Sequence, residues 1–327
     1  MNEKLNDFYK KKFYFSYSSL NKILYSPKLF YDWYVLNQKE DRTDKHLLEG
    51  KVLHCLLVEE DKFKDKFKVI DFKLPSSNNK KIIEAMYKLY NDKKSNDLSD
   101  YDDEIIKWLH FAQLHQSLST DEKRLAKIKT EDNIRYFQFL CDIKDKDLID
   151  EEIYINMKEK VSCVKSCQKS SELLKLGDQS FELIEVFNEK PLSIEKFKDK
   201  KFGLKGIIDN FVIDHTTKTV YINDIKTTHK TLSDFPDSVE YYKYWLQASI
   251  YIELIKGNLR DNEKDYKIEF HFIVIDKNNN VYPFPVTIKK LRQWKLDMEE
   301  VINKAEYHYK NKEYKLPYEF ANGDVVL

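Results

Sequence analysis

Hydrophobic and polar positions follow a strand period most clearly in the second half of the chain. "FELIEVFNE" (181–189), "FGLKGIIDNFVI" (202–213) and "TVYINDIKT" (219–227) are apolar, β-branched runs bounded by turn residues, and they predict three consecutive strands. "SVEYYKYWLQASIYIELI" (238–255) predicts an amphipathic helix, "KIEFHFIVID" (267–276) and "VYPFPVTI" (281–288) a strand pair, and "KLRQWKLDMEEVINKAEYHYKNKEY" (290–314) a closing helix. Upstream, "SYSSLNKILYSPKLFYDWYVL" (16–36) predicts two short helices, with Ser26-Pro27 as the N-cap and first turn of the second. "LLEGKVLHCLLVEEDKF" (47–63) predicts a helix with an apolar face. Residues 79–175 form a long, charged, mostly helical stretch without strand alternation, broken near "NDKKSNDLSDYDDE" and "SLSTDE". No Pro/Gly linker and no internal repeat divides this pattern. The expectation is an α/β fold in one domain over 1–327, with a helical insertion at about 79–150.

Composition narrows the classes. Hydrophobic residues make up 42% of 327, enough for a substantial core, and aromatics reach 14%. Lys+Arg and Asp+Glu are 56 each, so a polyanionic partner would need positive charge gathered locally. No apolar run is long enough to span a bilayer, and "MNEKLNDFYKKKFYFSYSS" lacks the apolar centre of a secretory signal, so no membrane and a cytoplasmic location are expected. Cys55, Cys141, Cys163 and Cys167 form no CxxC pair. Small core residues in a reducing compartment account for them, with a zinc or iron–sulfur site as the alternative. Glycine is used only six times. Such sparing use suggests positions where a side chain would interfere: Gly206 precedes Asp209 by three residues, and Gly50 precedes His54 by four.

The chemistry concentrates in "KGIIDNFVIDHTTKTVYINDIKTTH" (205–229). If the turn centres on Thr216-Thr217, Asp209 in the first strand lies across from Asp224 in the second. Lys226 shares a face with Asp224, because strand side chains alternate. Two carboxylates about 4 Å apart repel by roughly 4 kcal/mol at an effective dielectric near 20. A cation between them relieves this, and Mg²⁺, which binds through one or two carboxylates and keeps positions for water and phosphate, fits that role. An ordinary exposed sheet face with a Lys–Asp pair would give the same pattern.

"GIID", a turn and "NDIKTT" together resemble the core of the PD-(D/E)XK nuclease superfamily. Within it the chain is most similar to the RecB-like group, and especially to phage-type exodeoxyribonuclease VIII. Four more segments agree in order: "FSYSSLNKILYSPKLFYDW" (15–33) with the S-x-S-x-L … S-P opening, "LEGKVLHCLLVE" (48–59) with the G-x-x-x-H helix, "YKYWLQASIYIEL" (242–254) with the Y-x-x-Q-x-x-x-Y helix, and "FHFIVIDKNNNVYPFPVTI" (270–288) with the late strand pair. The resemblance covers most of 15–65 and 180–315 and implies a restriction-endonuclease-like core, a mixed central sheet flanked by helices. It implies Asp209, Asp224, the carbonyl of Ile225 and His54 as metal ligands. Lys226 would orient or deprotonate the attacking water, and Gln247 and Tyr251 would support Lys226 or touch a phosphate. An acidic residue on the preceding strand is also implied, with Glu182 and Glu185 both eligible. The cofactor would be Mg²⁺, with Mn²⁺ able to substitute. An iron–sulfur cluster is not expected, since no cysteine follows Cys167. The implied activity is exonucleolytic processing of double-stranded DNA ends, with a single-strand annealing protein and further copies of the chain as partners. An endonuclease, a junction resolvase, or a degenerate fold that only binds DNA or protein are the alternatives. Tyr241, Tyr242, Tyr244 and Trp245 lie beside the Gln247 helix, where they could stack on bases or serve the core.

Overall fold

The computed structural model describes residues 8–39, 45–142, 146–177, 183–323 and 325. Contacts divide the chain into two compact units, residues 1–60 with 158–327, and residues 61–157.

The first unit is built on a mixed sheet of β1 (Tyr14–Phe15), β2 (Ile184–Ile194), β3 (Gly203–Asp214), β4 (Thr219–Thr227), β5 (Lys267–Ile275) and β6 (Val281–Pro285). β2, β3 and β4 run as an antiparallel meander, β5 joins β4 in parallel, and β6 closes a hairpin with β5. The β3–β4 hairpin has the expected register, from Asp214↔Thr219 to Asn210↔Asn223. Its turn is fixed by Asp214 Oδ1, which accepts from Thr216 N (2.8 Å) and Thr217 N (3.0 Å), an Asx turn. β2 extends five residues beyond the expected end at Glu189; the expected start at Phe181–Glu182 lies outside the described residues.

Helices α1 (Tyr17–Tyr25), α2 (Lys45–Val58), α3 (Gln168–Leu174), α4 (Phe235–Tyr241), α5 (Tyr244–Asn258) and α6 (Ile288–Asn311) accompany the sheet. Leu20 of α1, Leu246, Ile250 and Leu254 of α5, and Met298 and Ile302 of α6 share one buried core with Phe211, Ile222 and Phe272 of the strands. Ser26 caps the short helix Pro27–Phe30 as expected, accepting from Leu29 N at 3.3 Å. The single amphipathic helix expected over 238–255 is two helices. Pro236 starts α4 early, and Lys243, at φ 56°, breaks the chain before α5. Nor is α5 amphipathic: it is buried from Leu246 to Ile252 and again at Leu254 and Ile255.

The second unit contains the helices Ser77–Lys93, Asp102–Phe111, Asp121–Ile128 and Glu131–Asp142 around Ile82, Ile83, Tyr101, Ile105 and Phe137. Both expected breaks in the helical stretch are present. The expectation of no strand there is corrected, because Asp147–Asp150 pairs in parallel with Phe67–Ile70. At four residues each, these strands are too short to show a period.

Candidate active site

The β2–β3 ribbon changes face where the acids lie. Leu204 and Ile208 on one side of Asp209, and Phe211 and Ile213 on the other, all pack in the same core. Strict alternation would put these pairs on opposite faces. Phe187 and Leu192 show the same switch on β2. Pairs Asn188↔Asn210 and Lys190↔Ile208 flank the turnover and set Glu189 opposite Asp209. Glu189 adopts φ 44°, left-handed backbone that costs a non-glycine residue about 1–3 kcal/mol and is typical of functional sites.

The β3–β4 ladder ends one pair short of Asp209 and Asp224. There a side chain replaces the strand: Ile225 N donates to Asp209 Oδ2 at 2.8 Å. On the opposite face a row of asparagines ties the three strands together. Asn210 Nδ2 donates to Asn188 Oδ1 and Asn223 Nδ2 to Asn210 Oδ1, each at 2.8 Å. The same amides cap the end of α3, reaching the carbonyls of Leu174 and Leu173 at 3.3 and 2.9 Å.

His54 of α2 completes the acid pair. Its Nδ1 lies 3.0 Å from Glu189 Oε1 and 3.8 Å from Asp209 Oδ1, and its Nε2 lies 3.2 Å from the Ile225 carbonyl oxygen. Ligand atoms of His54, Glu189 and Asp209 all fall within 4.8 Å of one another. Burial alone would lower the imidazole pKa, but the charge of Asp209 and the hydrogen bond and charge of Glu189 raise it to about 9. Without a metal the ring is therefore an imidazolium at neutral pH, with both N–H groups donating.

Asp224 stands beside this group rather than in it. It is fully buried (0% exposed), and Lys226 Nζ approaches its Oδ2 at 2.6 Å. Beyond that ion pair, neither Asp224 oxygen has a hydrogen-bond partner among the described residues. Burial pushes the Asp224 pKa up, Lys226 draws it down and Asp209 raises it again, leaving it at about 6. For Lys226, burial favours loss of the proton, but Asp224 and Asp209 outweigh it and hold the ammonium above its ordinary range. A buried carboxylate met by Lys226 alone, beside an imidazole and two further carboxylates, suits a hard divalent cation with oxygen and nitrogen ligands.

Gln247 and Tyr251 sit one turn apart on α5, and Gln247 Nε2 donates to the Tyr251 hydroxyl at 2.8 Å. Burial first, then Asp209 and Asp224, raise the Tyr251 pKa well above normal, so the phenol keeps its proton. Gly206 makes room for this ring: a Cβ there would lie 3.1 Å from Tyr251 Cε1 and 3.0 Å from Leu254 Cδ1. Gly50 has no such role, since a Cβ there would meet no described atom within 4 Å.

Of the sequence-predicted residues, the structure brings together His54, Asp209, Ile225, Asp224 and Lys226. Gln247 and Tyr251 lie near enough for Tyr251 to feel both aspartates. Glu185 is elsewhere, held by His215 Nε2 at 2.8 Å and by Arg260, and Glu182 lies outside the described residues. Sequence reasoning missed Glu189, although it ends the same "ELIEVFNE" run.

Residues 150–316 match the family described as the PD-(D/E)XK nuclease superfamily; His54 lies outside the match. A crystal structure from Eubacterium rectale, named as that of a candidate exonuclease, is 12% identical, with 92% of this chain and 85% of that one covered and a TM-score of 0.44. A likeness that distant carries no argument about chemistry. No curated protein matches significantly.

Proposed function

Since this chain belongs to the PD-(D/E)XK nuclease superfamily, we propose that it is a metal-dependent DNA nuclease, and specifically an exonuclease that processes double-strand ends in phage-type recombination. The observation that carries the reading is buried Asp224, paired with half-buried Lys226, set against His54, Glu189 and Asp209 where the β3–β4 ladder opens. The resemblance of the flanking motifs to the RecB-like group and to exodeoxyribonuclease VIII supports the finer assignment.

His54, Glu189, Asp209 and the Ile225 carbonyl would hold the divalent cation, with Asp224 beside them; Mg²⁺ is the expected ion and Mn²⁺ a substitute. When bound, the ion supplies a nucleophilic water at neutral pH and neutralises charge developing on the phosphate. Lys226 keeps its proton in this environment, which favours donating to a phosphoryl oxygen over deprotonating water. The Tyr251 hydroxyl accepts from Gln247, which frees its own O–H to donate to the substrate. On this reading residues 1–327 are one nuclease domain with the helical stretch as an insertion. Its partners would be a single-strand annealing protein and further copies of the chain, and its place of action the cytoplasm. No helix among the described residues is long and apolar enough to cross a membrane.

End-labelled linear duplex and closed circular DNA, each incubated with and without Mg²⁺, test the proposal. Release of terminal label from the linear duplex, only with Mg²⁺ and with the circle left intact, is expected. Cutting of the circle would replace the exonuclease by an endonuclease, and no cleavage of either substrate would refute the enzyme.

A further inference from the structure

An aromatic path leads from Lys226 to the surface. Lys226 Nζ lies 5.0 Å from the centre of the Tyr244 ring. Tyr244 stacks with Tyr242, centroids 5.4 Å apart and planes 25° from parallel, and Tyr241 meets Tyr242 edge-on at 4.9 Å. Tyr244 is half-buried and also stacks with Phe235 of the core, whereas Tyr242 is 47% and Tyr241 77% exposed. The backbone under these rings is fixed rather than loose. Lys243 holds left-handed backbone at the α4–α5 break, and the Tyr17 hydroxyl donates to the Tyr242 carbonyl at 2.5 Å. Two exposed rings are thus held at a strained corner, one stacked ring away from the ammonium group of the candidate site.

Resting on the nuclease reading, we propose that Tyr242, with Tyr241 at its edge, is a stacking platform for an unpaired base next to the scissile phosphate. The preferred substrate is then a DNA end with its last bases unpaired, because a base inside intact duplex has no free face to offer. An aromatic ring recognises any base by its π-face, so the platform is indifferent to sequence, as an enzyme that degrades DNA end by end requires. Lys226 meets the phosphate and the tyrosines meet the base. Lys243 and Glu240 flank the rings, so net charge contributes little here and stacking carries the contact.

Two duplexes of one sequence, one blunt and one with mismatched terminal bases, test this with the full-length chain. Tyr242→Ala is expected to raise KM for the mismatched end by about tenfold, the loss falling on KM more than on kcat, and Tyr242→Phe to stay near wild type. The Tyr17 bond uses a backbone carbonyl that alanine also supplies, so the corner survives the substitution. In a second arm, 2-aminopurine at the terminal position reports stacking by fluorescence quenching in the Asp224→Asn protein, where the substrate persists. Quenching that disappears with added Tyr242→Ala and remains with Tyr242→Phe supports the platform. An unchanged KM in Tyr242→Ala, equal losses in the alanine and phenylalanine variants, or quenching indifferent to Tyr242 would overturn it. The fluorescence arm needs no cleavage, so a wild-type protein that cuts nothing would refute the nuclease reading separately.

Discussion

Asp224→Asn is expected to make the metal-free protein more stable, an unusual outcome for a buried polar residue in a central strand. The carboxylate titrates at 3.8 when free and at about 6 in the fold, because burial and Asp209 together outweigh Lys226. At about 1.4 kcal/mol per pKa unit, holding Asp224 ionised costs the folded state about 3 kcal/mol. The folded pKa lies above the unfolded one, so the penalty is absent below pH 4, grows through the window from about 4 to 6, and is complete above it. Asparagine keeps the shape and removes the charge. Urea unfolding in EDTA at pH 8, followed by tryptophan fluorescence and circular dichroism, should give a midpoint about 1 M higher for the variant. At pH 4 the two midpoints should converge. With saturating Mn²⁺ at pH 8 the advantage of the variant should shrink, since a cation bound beside Asp224 favours its ionised form. A variant less stable than wild type in EDTA at pH 8 would refute the reasoning: the ion pair with Lys226 would then outweigh the cost of burying the charge.

Other expectations follow from the same geometry. His54→Ala should raise the half-saturating Mn²⁺ concentration for cleavage more than it lowers the saturated rate. Because metal must displace a proton held up to about pH 9, apparent Mn²⁺ affinity of the wild type should fall by up to about tenfold per pH unit below that value, and less steeply in His54→Ala. Asp209→Asn should shrink the rise in melting temperature produced by Mg²⁺, a rise equal to wild type arguing against its role as ligand. Gly206→Val should press on Tyr251 and Leu254, costing about 1–3 kcal/mol and lowering cleavage, whereas Gly50→Val should leave the active site undisturbed; activity assays on both variants decide.

The hairpin was legible because a short polar turn between two alternating runs fixes the register. With the register known, Asp209, Asp224 and Lys226 converge without further information. Gln247 and Tyr251 were legible from their i, i+4 spacing. Glu189 was not, for two physical reasons. The link between β2 and β3 is too long to set a register from its turn, and the ribbon turns over at Glu189 through left-handed backbone. Period-two reasoning fails at the residue where the site is built. The α4–α5 corner was hidden for a related reason, since its left-handed residue is Lys243 rather than a glycine. Gly50 misled because its position beside His54 in sequence resembled that of Gly206 beside Asp209, yet only Gly206 has a ring against it.

On the proposed reading, Lys226 and the carboxylates around it form a metal-dependent site for phosphodiester cleavage. Single-turnover cleavage of an end-labelled linear duplex by Lys226→Ala, at saturating Mg²⁺ and with folding checked by circular dichroism, tests it most directly. A folded variant that binds the duplex but releases no label is the expected result. Label released at the wild-type rate would contradict this, because the ammonium group paired with Asp224 would then take no part in the chemistry.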